Sequence, residues 1–210
     1  SMRERREAMF KIGLNERPIS YIYGKIDNIE EMLTVMKPDE WAVRVHREMI
    51  EKLAKIAFDF KAHFQFEVDS FELFFNTSSE TKDYQEKACA AASLISDQFK
   101  KLSSASDLNV NVQLRLCVMS MRAFCGNIGC ENNKKTIAWS PVMASRAKEC
   151  YSICSQWQID LLIDQETHSR VSREYMCRPV MDINLDASSH NDDGHGSSFA
   201  FITDRLYQLG

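Results

Sequence analysis

The sequence has 210 residues, 44% of them hydrophobic and 27% charged, with 26 Lys and Arg set against 30 Asp and Glu for a net charge of −4. That length supports one domain with a real core, plus at most a short arm. The acidic balance and the absence of a long basic stripe exclude nucleic acid as the partner, and no apolar run approaches the roughly 18 residues of a membrane span.

Ser1-Met2 reads as a cloning scar, so the chain is expected to be an excised piece of a larger protein. Met2-Arg3-Glu4-Arg5 is followed by no apolar stretch and is not a signal peptide. The seven cysteines stand at 89, 117, 125, 130, 150, 154 and 177. An odd number at irregular spacing fits reduced thiols in the cytosol, in a cytoplasmic protein or the cytosolic part of a membrane-attached one. No His lies at ligand-like spacing from Cys125 and Cys130 or from Cys150 and Cys154, so small buried hydrophobes are expected rather than a zinc site.

In chain order, residues 3–12 read as the end of a charged helix and Asn15 to Pro18 as a break. Ile19 to Tyr23 is β-branched and aromatic, hence a strand. Pro38-Asp39-Glu40 opens a long helix, with proline in the first turn and acids where the helix dipole favours them. Its Val45, Met49, Leu53, Ile56 and Phe60 step along one face. His63 to Phe75 alternates as strand, turn, strand, and Ala88 to Leu102 is a second amphipathic helix. Val110 to Met119 alternates as a further strand. Val142 to Ser155 reads as helix, Ile159 to Ile163 as a buried strand and Gln165 to Val171 as a short helix. Arg178 to Leu185 and Phe199 to Leu209 form a closing hairpin around the polar loop Asp186 to Ser198, where His190 and His195 lie beside Asp192 and Asp193. The order argues an α+β fold, one sheet with helices packed over it.

Five local strings, in order, resemble the catalytic domains of the class III adenylyl and guanylyl cyclases over roughly residues 17 to 209. Lys37-Pro38-Asp39-Glu40 resembles the family's helix opening, and Phe66-Glu67-Val68-Asp69-Ser70-Phe71 its hairpin with an aspartate in the turn. Leu114-Arg115-Leu116-Cys117-Val118 resembles its central strand, and Phe124-Cys125-Gly126-Asn127-Ile128-Gly129 the glycine-bearing stretch beyond that strand. Ala138-Trp139-Ser140 and Val142-Met143-Ala144-Ser145-Arg146 resemble its second helix motif. The resemblance implies a ferredoxin-like α+β domain with a mostly antiparallel sheet over residues 17–210, after a charged helix or linker over 1–16.

It also implies a reaction. The ribose 3′-oxygen attacks the α-phosphorus of ATP or GTP, and pyrophosphate leaves. Two Mg²⁺ or Mn²⁺ ions, held by two carboxylates, activate the nucleophile. An Asn and an Arg supplied across a dimer stabilise the transition state.

Carried over residue by residue, the pattern is eroded. Counting back from Pro38, the first metal aspartate falls on Gly24, with Asp27 three residues on as a substitute that a strand shift would turn to the other face. Asp69 matches the second metal ligand, although a plain turn aspartate is the competing reading. Val142 replaces the Asn, Arg146 matches the transition-state Arg or else caps a surface helix, and the purine selectors fall on Gln65 and on Ile137 or Thr136. The expectation is a domain inactive alone, paired as a homodimer or with a second cyclase domain. It either supplies half of a composite site or serves as a dimerisation or nucleotide-sensing module; an unrelated ferredoxin-like binding domain is the third reading. If active it needs Mg²⁺ or Mn²⁺, and otherwise no cofactor. Asp69, Arg146, Phe124, Trp139 and Met143 are expected on the partner-facing surface.

Overall fold

A computed structural model describes residues 12–78, 80–105, 111–130, 133–185 and 202–209. The charged segment before Ile12 and the polar loop with its two histidines lie outside these residues.

Strand β1 (Gly13–Ile26) leads through α1 (Ile29–Val35) and α2 (Pro38–Glu40) into a π-helical turn, Trp41–His46, and α3 (Arg47–Asp59). The hairpin β2 (His63–Phe66) and β3 (Ser70–Phe75) is followed by α4 (Tyr84–Ala105), β4 (Leu114–Cys130) and β5 (Asn133–Trp139). Then come α5 (Met143–Trp157), β6 (Leu161–Ile163), α6 (Gln165–Val171), β7 (Cys177–Leu185) and β8 (Ile202–Leu209). The strands form one eight-stranded sheet in the order β2-β3-β1-β4-β6-β8-β7, with β5 paired to the far half of β4. Every pairing is antiparallel except β4 with β6. This is the expected α+β architecture.

Alternation along the central strands divides the core in two. Ile22, Ile26, Leu73, Phe75, Leu116 and Val118 face one way and pack under α3 and α4, against Leu53, Ile56, Ala92 and Ile95. Tyr21, Phe74, Cys117 and Met119 face the other way and pack under α5, against Ala147, Cys150 and Cys154. A strand buried on both faces shows no alternation of burial, which is why Leu114 to Met121 is buried throughout. The cysteines are free thiols; Cys117 Sγ lies 3.7 Å from Cys154 Sγ inside this second layer.

Two differences from the sequence reading concern the site. Asn15 to Pro18 is not a break: β1 runs through it, paired with β4 from Gly13 to Ile26. Pro18 is tolerated because β3 pairs only with Ser20 to Lys25, so nothing in the ladder needs its missing N–H, and Asn76 Nδ2 donates to its carbonyl at 2.8 Å. The central strand is also longer than Val110 to Met119, reaching Cys130 and turning back as β5. Gly126 hid this, since it interrupts the apolar alternation. It sits at φ +151, where an added Cβ would lie 2.1 Å from the Gly13 carbonyl oxygen.

Candidate functional site

The cleft forms where β1 ends, beside the β2–β3 turn and the β4–β5 hairpin. Register puts Gln65, Glu72 and Tyr23 in one cross-strand row, directly opposite one another on the same face. Two residues along β1, Lys25 stands opposite Ser70 on that same face. Gly24 points the other way, into the core, where a Cβ would meet the buried Phe71 ring at 2.2 Å.

That decides what lies against Asp69. The Lys25 ammonium is 3.2 Å from Asp69 Oδ2, with the two side chains 31% and 30% exposed. The same ammonium sits 5.2 Å above the Tyr151 ring, on α5. Asp69 is held from behind: its carbonyl accepts from Ile26 N at 2.8 Å, and Glu67 N donates to Ser70 O to close the turn. The π-helical turn braces this hairpin as well, since His46 packs between Trp41 and Phe66 and its Nε2 lies 3.1 Å from the Glu67 carbonyl oxygen.

Asp27 has other partners. Its Oδ1 accepts from Tyr151 Oη and Ser155 Oγ, each at 2.8 Å, and its Oδ2 from Arg115 Nε at 3.3 Å. Burial pushes this carboxyl up, but the bonds from Ser155, Tyr151 and Arg115, with the guanidinium charge, together hold it below its ordinary value. Arg115 is 5% exposed and also donates to Asp160 Oδ1 at 2.9 Å and Gln158 Oε1 at 2.6 Å. Such a network ties β1, β4 and α5 together.

At the other end of the cleft a cavity of about 640 Å³ opens between the two hairpins. Gln65 and Thr136 both line it, with Tyr23, Glu72, His63 and Lys135. Gln65 Nε2 is 3.0 Å from His63 Nε2, Thr136 Oγ1 donates to Asn127 Oδ1 at 2.8 Å, and Tyr21 Oη donates to Glu72 Oε1 at 2.6 Å. Burial lowers the His63 pKa, outweighing a bond with the Thr136 backbone, and the Lys135 charge acts with burial. Burial and the Asp69 charge raise Tyr23 to about 12. Ile137, the alternative to Thr136, pairs with Gly126 and does not line the cavity.

Arg146 lies in the first turn of α5 and donates from Nη2 to Asp164 Oδ2 at 3.2 Å. Asp164 is fully buried and caps α6, accepting from Thr167 N and Ser120 N. Met143 is 7% exposed and belongs to the core under α5, so it does not lie on the partner-facing surface where it was expected. Phe124 and Trp139 are 40% and 51% exposed and stack at 6.2 Å.

No family model matches the sequence, and no curated protein matches it. Solved structures do. The chain is similar to the adenylyl cyclase CyaB from P. aeruginosa, at 15% identity and TM-score 0.73 over 95% of this chain and 96% of that one. It is similar to the guanylyl cyclase Cya2, at 13% identity and TM-score 0.71 over 94% of each chain. A third is the guanylate cyclase domain of RhGC from Catenaria anguillulae, solved with GTP, at 10% identity and TM-score 0.69 over 93% and 98%. The chain has the class III nucleotide cyclase fold.

Within the cyclase fold, the residue of β1 that faces Asp69 is Lys25, one position beyond Gly24. The carboxylates do not fit a pair of divalent ions: Asp69 is matched by an ammonium, and Asp27 by three donors of which one is a guanidinium. Among the described residues no group of three or more His, Cys, Asp or Glu is placed to hold a metal. Sequence reasoning missed Lys25, Glu72, Tyr151 and Arg115. The one available signal was Arg115, a lone charge in an apolar strand.

Proposed function

We propose that this domain makes no cyclic nucleotide by itself and works beside a second cyclase-type domain in cyclic-nucleotide signalling, contributing the nucleobase end of a composite cleft. The observation that carries this is Lys25, whose ammonium stands against Asp69. With that carboxylate neutralised, no metal-holding carboxylate pair remains among the described residues to activate a ribose hydroxyl. What it offers is the cavity, where the Gln65 amide can both donate and accept toward a base edge. Arg146 then acts as a positioning residue through Asp164, since its guanidinium is turned to that carboxylate. ATP and GTP are the ligands this reading requires, without a choice between them.

The test is product formation. The isolated chain with ATP or GTP and either Mg²⁺ or Mn²⁺ should give no cyclic AMP or cyclic GMP by mass spectrometry. Turnover abolished by Asp69→Asn would sink the proposal. A second reading, a dimerisation or nucleotide-sensing module, is favoured by the exposed Phe124 and Trp139 stack. Sedimentation velocity of the wild type and Trp139→Glu addresses it: dissociation of a dimer by that charge supports the face, and a strictly monomeric wild type removes homodimerisation.

A further inference from the structure

The disagreement between the carboxylates and a divalent ion has a specific content. We infer that Lys25 is a tethered cation standing where the fold family places divalent metal, so that this cleft excludes Mg²⁺ and Mn²⁺ and takes up a nucleoside triphosphate without them. The ligand half of this rests on the nucleotide reading above; the exclusion of metal does not.

The geometry makes the ammonium part of the fold rather than a passing side chain. Lys25 is fixed in register between Ser70 and Arg115, at the end of β1 where that strand is paired on both sides. Its ammonium lies over the Tyr151 ring, and that ring is itself held by the bond from Tyr151 Oη to Asp27. The Nζ therefore stays within reach of Asp69 without closing the site to solvent. A divalent ion bound to Asp69 would sit a few ångströms from a positive charge, and like charges at that range repel strongly even at the protein surface. The nearest replacement carboxylate, Asp27, is already satisfied by Tyr151, Ser155 and Arg115.

An ammonium has three donors, and the ion pair with Asp69 uses one. The others suit phosphate oxygens, for which lysine is a common point-charge partner. The ligand's base would lie toward Gln65, across Tyr23, which stands two residues from Lys25 on the same face and lines the cavity.

The experiment is Mn²⁺ titration followed by electron paramagnetic resonance, on wild type, K25D, K25M, D69N and the double variant K25D/D69N. Wild type is expected to bind no Mn²⁺. K25D, which sets two carboxylates face to face, should gain a site at least about tenfold tighter, and K25D/D69N should lose it. K25M, with the ammonium removed and no new charge, should fall between, and it serves if K25D does not fold. Wild-type Mn²⁺ binding as tight as in K25D, or wild-type binding abolished by D69N, overturns the inference.

A calorimetric arm uses ATP and GTP with the wild-type chain in EDTA and in Mn²⁺. Equal affinity in both supports metal-free uptake, and binding that requires Mn²⁺ overturns it. Absence of binding in both overturns the nucleotide reading and the ligand half with it, while the Mn²⁺ titrations still decide the role of Lys25.

Discussion

The two ends of the cleft differ in what fills them. At the hairpin end, Gln65 and Thr136 still converge on one open cavity although 71 residues apart in sequence, because β2 and the β4–β5 hairpin deliver them there. At the β1 end the backbone is equally intact, with Asp69 still at the turn, yet its surroundings are closed by the protein's own cations. Lys25 answers Asp69 and Arg115 answers Asp27. A binding shape is kept by backbone register, which many side chains share. A metal site depends on the sign of one or two charges, so single substitutions end it while the fold stands.

The sharpest way to break this contrast is to restore a carboxylate at the wrong neighbour. Gly24→Asp follows the linear count from Pro38, but its side chain would enter the core against Phe71. Overpacking plus a buried carboxyl should cost about 3 kcal/mol or more by urea denaturation. Lys25→Asp, one residue away and on the open face, should leave the protein folded. Equal stabilities would mean that the facing of β1 is misassigned.

A smaller effect is expected at Asp27. Asp27→Asn leaves buried Arg115 with Asp160 and Gln158 and should lose about 1–3 kcal/mol at neutral pH. Because the folded-state carboxyl titrates below its ordinary value of 3.8, its contribution is whole above that pH and is lost as pH falls through the lower folded value. The gap between wild type and Asp27→Asn should therefore narrow on acidification below pH 3.8, which denaturation at two pH values reads directly. A gap that widens in acid would place the charge relation the wrong way round.

The smallest change in stability belongs to the hairpin end. Gln65→Ala should alter the melting profile by less than about 0.5 kcal/mol, yet weaken nucleotide binding several-fold. If Gln65→Ala left binding untouched and Lys25→Met removed it, recognition would rest on phosphate alone.

Much of the fold was legible because its central strands and helices carry clean periodicity: the β2–β3 hairpin and the helix Gln165 to Val171 lie where the sequence puts them. What was not legible has local causes. Helix α1 lies between β1 and Pro38, so counting back from proline misses the facing residue by one, and in a strand one residue is the other face. The β4–β5 hairpin was obscured by glycines inside a strand. The resemblance named Gln65 and Thr136, and both line the cavity. Of the Asp27 network only Arg115 left a local signal, as a lone charge in an apolar strand; that Arg115 and Tyr151 reach Asp27 from 88 and 124 residues away shows in no local window.

If a fixed ammonium stands here in place of a divalent ion, Lys25 should hold Asp69 even when metal and nucleotide are both supplied. Crystals grown with Mn²⁺ and a non-hydrolysable triphosphate, measured at the manganese edge, address it directly. No anomalous peak is expected at coordination distance from Asp69, with the Lys25 ammonium still beside that carboxylate. A manganese peak ligated by Asp69, with Lys25 displaced, would contradict it.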